Sequence, residues 1–346
     1  MEPLILKGNA YQRGISHGKR FATEIHECLN AFKHESSDQA VMSAVDKTIE
    51  LLGGTFPEIN EEIRGISDGA EVPFRDTFLF NNRAVVNMVD TETCSDLAIQ
   101  AGGTVVVGMN KDRSCPMAPY EKYFLKKVYP EEGYALITYG HVGRVWGHGM
   151  NEQGLCTAGT AAYPLHNDAV VPSFGSYLVP PLLLSKCKDV PEALDLLEQF
   201  RPICDSGNFL LCDAAGEMAV VEITPAQRVV RKPDDDHLIA STFFASGEIE
   251  HRDNLKHLLE SQNRCATIQD YLAKEFDRES DMTLDGMKRI LRLHRGDGPV
   301  CRHEETGVTT VLSWVAFPET REFYFCVGLP CEGEYELYTL KESQQK

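Results

Sequence analysis

The sequence predicts an α+β fold in which helices and strands form stacked layers. Apolar side chains recur every three or four residues from Tyr11 to about Asn87, as in RFATEIHECLNAF and AVMSAVDKTIELL, so the first quarter should be helical. After Cys94 the pattern changes to short β-type runs such as SDLAIQ and TVVVGMN. Because strands and helices then follow in grouped runs, stacked layers are favoured over a regular βαβ alternation.

Individual elements can be assigned from local signals. Pro57 and Pro73 should open helices at EINEEIRGISDGAEV and FRDTFLFNNRAVVNMV, because proline is tolerated in a first helical turn. Another helix is expected at VPEALDLLEQF, and three more between Ile249 and Leu293. Further strands are predicted at ALITYG, NFLLCD, MAVVEI, HLIAST, VTTVLSWVAF and REFYFCVG. No linker divides the chain, so we expect one folding unit with an α-rich segment 1–93 and a β-rich portion 94–346.

The composition is that of a compact soluble protein, with 42% hydrophobic and 25% charged residues. Its formal net charge of −18 would repel phosphate backbones and anionic lipid surfaces, which excludes nucleic acid as an expected partner.

No run approaches the roughly 18 apolar residues of a membrane span. The start, MEPLILKGNAYQRG, lacks the pattern of a secretory signal. We therefore expect a cytoplasmic protein without a membrane partner; a homo-oligomer is compatible with the sequence.

The 11 cysteines are scattered and include no CxxC pair, so the sequence predicts neither a metal site nor a cofactor. Most lie in apolar strings, such as those ending at Cys212 and Cys326, which is typical of small buried thiols in a reducing compartment. Cys94 differs, because VDTETCSDL is polar on both sides of the thiol and coincides with the change from helices to strands. That position alone would more often be incidental than catalytic.

A series of motifs runs along nearly the whole chain: YQRGISHG, EEIRGISDGAEVPFRDTFLFNNR, TCSDLAIQ, GMNKD, GHGMNEQGL, GNFLLCDAAGEMAVVEITP, CRHEETG and PCEGEYELY. In order and spacing, these motifs resemble the acyl-coenzyme A:6-aminopenicillanic acid acyltransferase-like family of N-terminal-nucleophile hydrolases. The resemblance implies a four-layer αββα sandwich with an α-rich N-terminal segment. It also implies a precursor that cuts itself between Thr93 and Cys94 into two segments that stay associated.

This chemistry explains why a cysteine would become a chain terminus. A free thiol is mostly protonated near neutral pH, and an α-amino group with a reference pKa of about 8 is a well-matched base. In the precursor that nitrogen belongs to the Thr93–Cys94 amide, so the Cys94 thiol attacks the preceding carbonyl. The resemblance thus implies an amidase or acyltransferase that acts through a Cys94 acyl-enzyme on a small acyl amide or acyl thioester.

Three further site residues follow from the resemblance. Asp112 in GMNKD would hold the new α-amino group, although an aspartate at a strand end also commonly caps a turn. Asn208, which opens NFLLCD, would donate to the oxyanion, although SGN is equally a turn sequence. A second oxyanion donor is a backbone N–H within residues 160–162. The arginine expected near the nucleophile is assigned to Arg252, with Arg144 and Arg113 as rivals.

The chain departs from the related sequences at several positions. Thr93 and Ser95 stand where glycine and threonine are common around the cleavage site, so cleavage is expected to be slow. Met109 occupies the position of an arginine in the related amidases, and residues 242–244 read TFF where a histidine–phenylalanine pair is frequent. Two alternatives to an amidase therefore stay open: a strict acyl-coenzyme A-dependent N-acyltransferase, and an uncleaved, non-catalytic scaffold.

Overall fold

The computed structural model describes residues 1–31, 38–82, 94–115, 122–162, 175–200, 206–250 and 255–340. Within these ranges the helices are α1 (Ala10–Arg20), α2 (Ala22–Ala31), α3 (Gln39–Thr55), α4 (Pro57–Ala70), α5 (Phe74–Asn81), α6 (Val179–Lys186), α7 (Val190–Leu197), α8 (Leu255–Lys274) and α9 (Leu284–Leu291). The strands are β1 (Leu4–Gly8), β2 (Ser95–Ala101), β3 (Thr104–Ser114), β4 (Tyr123–Pro130), β5 (Leu136–His141), β6 (Gly149–Asn151), β7 (Cys156–Ala161), β8 (Gly207–Cys212), β9 (Met218–Ile223), β10 (Arg228–Arg231), β11 (His237–Ser241), β12 (Val308–Phe317), β13 (Glu322–Val327) and β14 (Glu336–Tyr338).

Two sheets stack between two layers of helices. The eight-stranded sheet has the order β1-β4-β5-β6-β7-β8-β9-β10, and the six-stranded sheet has the order β11-β2-β3-β12-β13-β14. One hydrophobic core packs helices from α2 to α7 on the eight-stranded sheet, and another packs α8 and α9 on the six-stranded sheet. Between them, the inter-sheet core joins residues such as Tyr139 and Leu210 of one sheet to Val107 and Trp314 of the other. These layers confirm the predicted αββα sandwich.

The helices largely begin where the sequence predicts. Proline stands in the first turn of α4, and Pro73 is the N-cap of α5. The predicted continuation of α5 beyond residue 82 lies outside the described residues. Between Ile249 and Leu293 the described residues form two helices, α8 and α9, rather than three. Helix α6 was not predicted from the sequence. Pro180 and Pro181 obscure its periodicity, although both lie near its first turn, where proline is accepted.

The predicted helical first quarter also contains a strand. β1 runs parallel to β4, with Leu4 opposite Lys126 and Gly8 opposite Pro130. The five residues LILKG are too few to establish a period-two pattern, which is why sequence analysis did not identify this strand. Through β1, the segment before Cys94 contributes an edge strand to a sheet that is otherwise built from the segment after it.

Helices α1 and α4 cross at very short distance through matched glycines. A Cβ on Gly14 would lie 2.1 Å from the Glu62 carbonyl oxygen, and one on Gly65 would lie 2.2 Å from the Tyr11 carbonyl oxygen. Both glycines belong to the similar stretches RGISHG and RGISDG, which therefore act as the two halves of a helix crossing. Only glycine fits, because the neighbouring atoms are backbone and have no rotamer to change.

Gly65→Ala should therefore destabilise the protein by about 1–3 kcal/mol or more through overpacking at this crossing. Gly54→Ala is the matched control, since a Cβ there meets nothing within 4 Å in helix α3 and should be neutral or stabilising. Chemical denaturation of both variants measures the difference. Equal stability of the two would contradict the close helix crossing.

None of the helices in the described ranges is long and apolar enough to cross a membrane.

Candidate active site

Cys94 lies at the start of a central strand, between the two sheets. It immediately precedes β2, which pairs with β11 on one side and β3 on the other. The side chain is completely buried and belongs to the inter-sheet core. The Cys94 carbonyl oxygen accepts a hydrogen bond of 3.1 Å from Ser241 Oγ, at the end of β11. The position expected for a new chain terminus is thus tied to β11 through Ser241.

Asp112 is paired with an arginine in the interior. It lies near the end of β3, completely buried, and its Oδ1 accepts a 2.7 Å hydrogen bond from Thr310 Oγ1 of β12. Its Oδ2 lies 3.3 Å from a guanidinium nitrogen of Arg264 on α8. Burial raises the pKa of Asp112, and the positive charges of Arg264 and Arg302 counteract that rise. Asp112 is therefore part of a buried ion pair, and the alternative of a simple turn cap does not describe it.

Arg264 connects Asp112 to the nucleophile. Its other terminal nitrogen donates to Ser241 Oγ over 3.2 Å and to Ser261 Oγ over 3.1 Å. Burial lowers the pKa of Arg264, and negative charge on Asp112 or Cys94 raises it. A hydrogen-bonded relay thus runs from Asp112 through Arg264 and Ser241 to the Cys94 carbonyl. We call these four residues the relay.

Asn208, on the other sheet, contacts the relay at Ser241. It lies on β8, is buried, and its Nδ2 donates to the Ser241 carbonyl (2.8 Å), the Phe243 carbonyl (3.0 Å) and Thr160 Oγ1 (2.9 Å). An amide nitrogen has only two hydrogens, so all of its donor capacity is engaged in this arrangement. Donation to an oxyanion would require one of these bonds to be given up.

Among the described residues, Arg264 is the arginine that connects to Cys94, through Ser241. Arg252 lies outside the described residues. Of its rivals, Arg113 donates to the backbone carbonyl of Asp112, and the Arg144 guanidinium lies 4.3 Å from the ring centre of Phe80. A signal for Arg264 was present, because the buried residues of α8 are Ser261, Arg264, Cys265, Ile268, Tyr271 and Leu272. An arginine on the apolar stripe of an amphipathic helix needs a buried partner.

Two further charged residues lie beside Cys94 in the inter-sheet space. Asp96 and Lys111 are both buried, and alternation along β2 and β3 places them on the same face as Cys94 and Met109. The Lys111 ammonium lies 5.1 Å from the ring centre of Trp146. Burial raises the pKa of Asp96 well above its usual range, while the charge of Lys111 opposes that rise. Lys111 thus supplies a buried cation two positions from Met109, on the same face of β3.

A small pocket adjoins Asn208. It is lined by His148, Gly159, Thr160, Ala161, Ser176, Tyr177, Ser206, Gly207, Asn208 and Phe209, and its volume is about 20 Å³. Such a cavity holds about one water molecule, so substrate entry requires neighbouring groups to move. A much wider cleft between β10, β11 and α8 includes none of the predicted site residues. The small pocket thus lies at Asn208, the candidate oxyanion donor.

One asparagine in each of two sequence motifs has a structural role. In GHGMNEQGL, Asn151 Nδ2 donates to the carbonyls of Leu184 and Cys187, and its Oδ1 accepts from the backbone of residues 153 and 155. In GMNKD, Asn110 Nδ2 donates to the carbonyls of Leu291 and Val300. Both asparagines satisfy buried backbone groups at helix and loop ends, which accounts for their presence without a catalytic role.

Comparison with known proteins identifies a family. The family model described as "Acyl-coenzyme A:6-aminopenicillanic acid acyl-transferase" matches residues 99–330. No curated protein matches. Similar solved structures include penicillin V acylase from Agrobacterium tumefaciens (15% identity, 68% of this chain and 83% of that chain, TM-score 0.45). They also include a variant of conjugated bile acid hydrolase from Clostridium perfringens (16% identity, 73% of this chain and 100% of that chain, TM-score 0.45).

The family match confirms the resemblance drawn from the sequence motifs, and with it the prediction of an acyltransferase or amide hydrolase. The matched residues contain Asp112, Asn208 and Arg264 but begin just after Cys94. The nucleophile and the cleavage site therefore remain predictions.

Proposed function

Because the chain belongs to the acyl-coenzyme A:6-aminopenicillanic acid acyl-transferase family, we propose that it cuts itself between Thr93 and Cys94 and then carries acyl groups on the Cys94 thiol. The observation that carries this proposal is the relay, which joins three side chains from three different elements to the backbone of one buried cysteine. This arrangement supports the proposal because it links a buried ion pair to the backbone of the residue that would become the nucleophile.

The self-cleavage step is an acyl shift followed by hydrolysis. The Cys94 sulfur attacks the Thr93 carbonyl carbon, the C–N bond breaks, and the departing nitrogen takes the thiol proton to become an amine. Water then opens the thioester, which leaves a carboxylate on Thr93 and a free thiol on Cys94. The same thiol subsequently attacks a substrate carbonyl, with the α-amino group as its base.

The two segments should stay associated because the first is built into the body of the second. Besides the β1–β4 pairing, Asn81 exchanges hydrogen bonds with the Gly143 carbonyl and the Val145 N–H, each over 2.8 Å. Asn82 Oδ1 accepts from the Gly175 N–H over 2.7 Å. Segment 1–93 also supplies much of the core on the outer face of the eight-stranded sheet.

The charged relay residues and their neighbours Lys111 and Asn208 have distinct roles in acyl transfer. Asp112 holds the released α-amino group and balances the charge of Arg264. Arg264 and Lys111 favour the thiolate form of Cys94, since nearby cations lower a thiol pKa. Asn208 orients the end of β11 through the Ser241 carbonyl and supplies a donor to the tetrahedral intermediate.

The net charge of −18 favours a small acyl amide over an acyl-coenzyme A thioester, and the wide cleft described above adds no phosphate site. The wide cleft contains Arg231, Lys232 and Arg278, but these cations are paired with Glu222, Glu217 and Asp236. The same cleft also carries Asp234 and Asp235, so it offers phosphates no favourable charge. We therefore favour hydrolysis, or transfer to an amine, of a small neutral or cationic amide.

The experiment that tests this function is a substrate screen on processed protein. Purified chain is first checked by intact mass for segments 1–93 and 94–346, and then offered N-acyl amines, N-acyl amino acids and acyl-coenzyme A thioesters. Release of acid or transfer of the acyl group from an amide supports the proposal. A processed chain that accepts only coenzyme A thioesters would establish the strict acyltransferase, and an uncut chain inert to all three classes would establish the scaffold.

Asn208→Ala should lower turnover about 10²–10³-fold, the usual effect of losing an oxyanion donor. Because it also removes the amide that donates to the Ser241 and Phe243 carbonyls, of which the Ser241 carbonyl keeps a second donor in Thr160 Oγ1, stability should fall by about 1 kcal/mol. Thr160→Val is the comparison variant, since it removes the hydroxyl that contacts both Asn208 and the Ser241 carbonyl but keeps the Asn208 amide, and it should lower turnover much less. Rates are measured on processed protein below its unfolding temperature. Near-normal turnover of Asn208→Ala would remove the oxyanion role.

A further inference from the structure

Four potential metal ligands lie close together in the loops before β12 and after β13 of the six-stranded sheet. His294 follows α9, Cys301 and His303 lie between α9 and β12, and Cys331 lies between β13 and β14. Their ligand atoms all lie within 4.8 Å of one another. None of the four takes part in the relay, although the motifs CRHEETG and PCEGEYELY contain three of them. We call these residues the Cys2His2 cluster.

Four of the six distances within the cluster are close to those of a tetrahedral zinc shell. Zn–S bonds of about 2.3 Å and Zn–N bonds of about 2.0 Å place two sulfurs about 3.8 Å apart, a sulfur and a nitrogen about 3.5 Å apart, and two nitrogens about 3.3 Å apart. The structure has 3.6 Å between Cys301 Sγ and Cys331 Sγ. The sulfur atoms of Cys301 and Cys331 lie 3.8 and 3.4 Å from His303 Nε2. His303 Nε2 and His294 Nε2 are 3.1 Å apart.

The backbone around the cluster is held independently of any metal. The Cys301 N–H donates to the Leu293 carbonyl over 3.1 Å, which fixes the chain between two ligands. Arg292 donates through Nε to the Pro330 carbonyl over 2.6 Å, and through a terminal nitrogen to the Gly333 carbonyl over 3.2 Å. The loop that carries Cys331 is thereby tied to the end of α9. The four ligands are thus brought together by fixed backbone contacts.

We propose that this cluster binds one Zn²⁺ ion as a structural site, with Cys301 and Cys331 as thiolates and His294 and His303 as neutral imidazoles. Four protein ligands complete a tetrahedron and leave no open position for chemistry, which is typical of structural zinc. Binding releases the two thiol protons, and the resulting site is neutral. Soft sulfur with imidazole nitrogen favours zinc over magnesium or calcium, which bind oxygen.

This proposal departs from the sequence prediction of no metal site. That prediction depended on the absence of a CxxC pair. In this cluster only Cys301 and His303 are close in sequence, with one residue between them. His294 follows a helix, and Cys331 comes from a distant loop. Only the tertiary fold brings Cys331 to the other three. Composition and spacing therefore contained no signal for it.

A zinc ion at the cluster would also restrict the residues that hold Asp112 in place. Arg302 stands between two ligands, and its backbone exchanges hydrogen bonds with Thr310, at 3.0 Å from Arg302 N to Thr310 Oγ1 and 3.0 Å from Thr310 N to the Arg302 carbonyl. Thr310 Oγ1 in turn donates to Asp112. Zinc at the cluster would therefore fix the strand segment on which Asp112 depends.

Metal content and cobalt substitution test the proposal on the full-length protein. Chain purified under reducing conditions from zinc-supplemented cells should contain about one zinc ion per chain. Replacement by Co²⁺ should give the intense visible absorption of a tetrahedral site with a thiolate-to-cobalt charge-transfer band. Cys331→Ser and His303→Ala should each weaken zinc binding more than about tenfold. Cys115→Ser, a nearby cysteine outside the cluster, should keep both metal and spectrum.

Stability provides a readout that does not require the variants to fold normally. A strong chelator should lower the unfolding temperature of the unmodified chain, and added zinc should restore it. The proposal would be overturned by reduced protein that takes up neither zinc nor cobalt. It would equally be overturned by equal loss of metal in Cys331→Ser and Cys115→Ser, or by a native Cys301–Cys331 disulfide in protein purified without oxygen.

Discussion

Cys94→Ala should remain a single chain of 38.6 kDa and lose acyl transfer by about 10⁴-fold or more. The alanine has no nucleophile, so neither the Thr93 carbonyl nor a substrate carbonyl can be attacked. Alanine also fits the buried position without adding volume, so a folded but inert protein is expected. Intact mass and a rate assay with an accepted amide measure the two effects.

Cys115→Ala is the matched control for this variant, because Cys115 is a partly exposed thiol outside the relay. It should process and turn over like the unmodified chain. Cleavage of Cys94→Ala at the same bond would remove the self-cleavage claim. Full activity of Cys94→Ala would remove the nucleophile assignment as well.

Asp112→Asn should have the second largest effect, and should act on both turnover and stability. The asparagine cannot balance the completely buried charge of Arg264, and an unpaired buried ion typically costs about 3–5 kcal/mol. It also cannot hold the α-amino group by charge. Denaturation and single-turnover rates of processed protein measure the two effects separately.

The double variant Asp112→Asn with Arg264→Gln distinguishes catalysis from folding. Removing both charges should recover much of the lost stability, because no unpaired ion is left in the interior. Turnover should stay low, because the amino group still lacks its anionic partner. If turnover returned together with stability, Asp112 would act through the fold alone.

The fold was largely predictable because its determinants are local. Helical periodicity before Cys94 and short apolar runs after it mark the layers, and Pro57 marks the start of α4. Among the elements that escaped prediction, β1 is short, α6 contains prolines, and β7 (CTAGTA) is rich in small residues. Their existence depends on partners distant in sequence, as β1 depends on β4.

The site was predictable only in part, because its connections are tertiary. The motifs around Asp112 and Asn208 indicate candidates, but the residue that joins Asp112 to Cys94 lies 152 positions away on α8. Ser241 gave no signal at all, since its contribution is one hydroxyl and one carbonyl at the end of a strand. The structure also explains why residues 242–244 can read TFF. Phe243 contacts Asn208 through its backbone carbonyl, which any residue supplies.

The most direct test of the central claim is the location of the acyl group in a trapped intermediate. Processed protein mixed with a good substrate and quenched should carry one acyl mass on the fragment that begins at Cys94, and peptide mapping should place it on that thiol. Partial alkylation should inactivate the enzyme by modifying Cys94 first, with substrate protecting it. An acyl group on Cys115, Cys301 or Cys331, or inactivation that tracks one of them while Cys94 stays unmodified, would contradict the account.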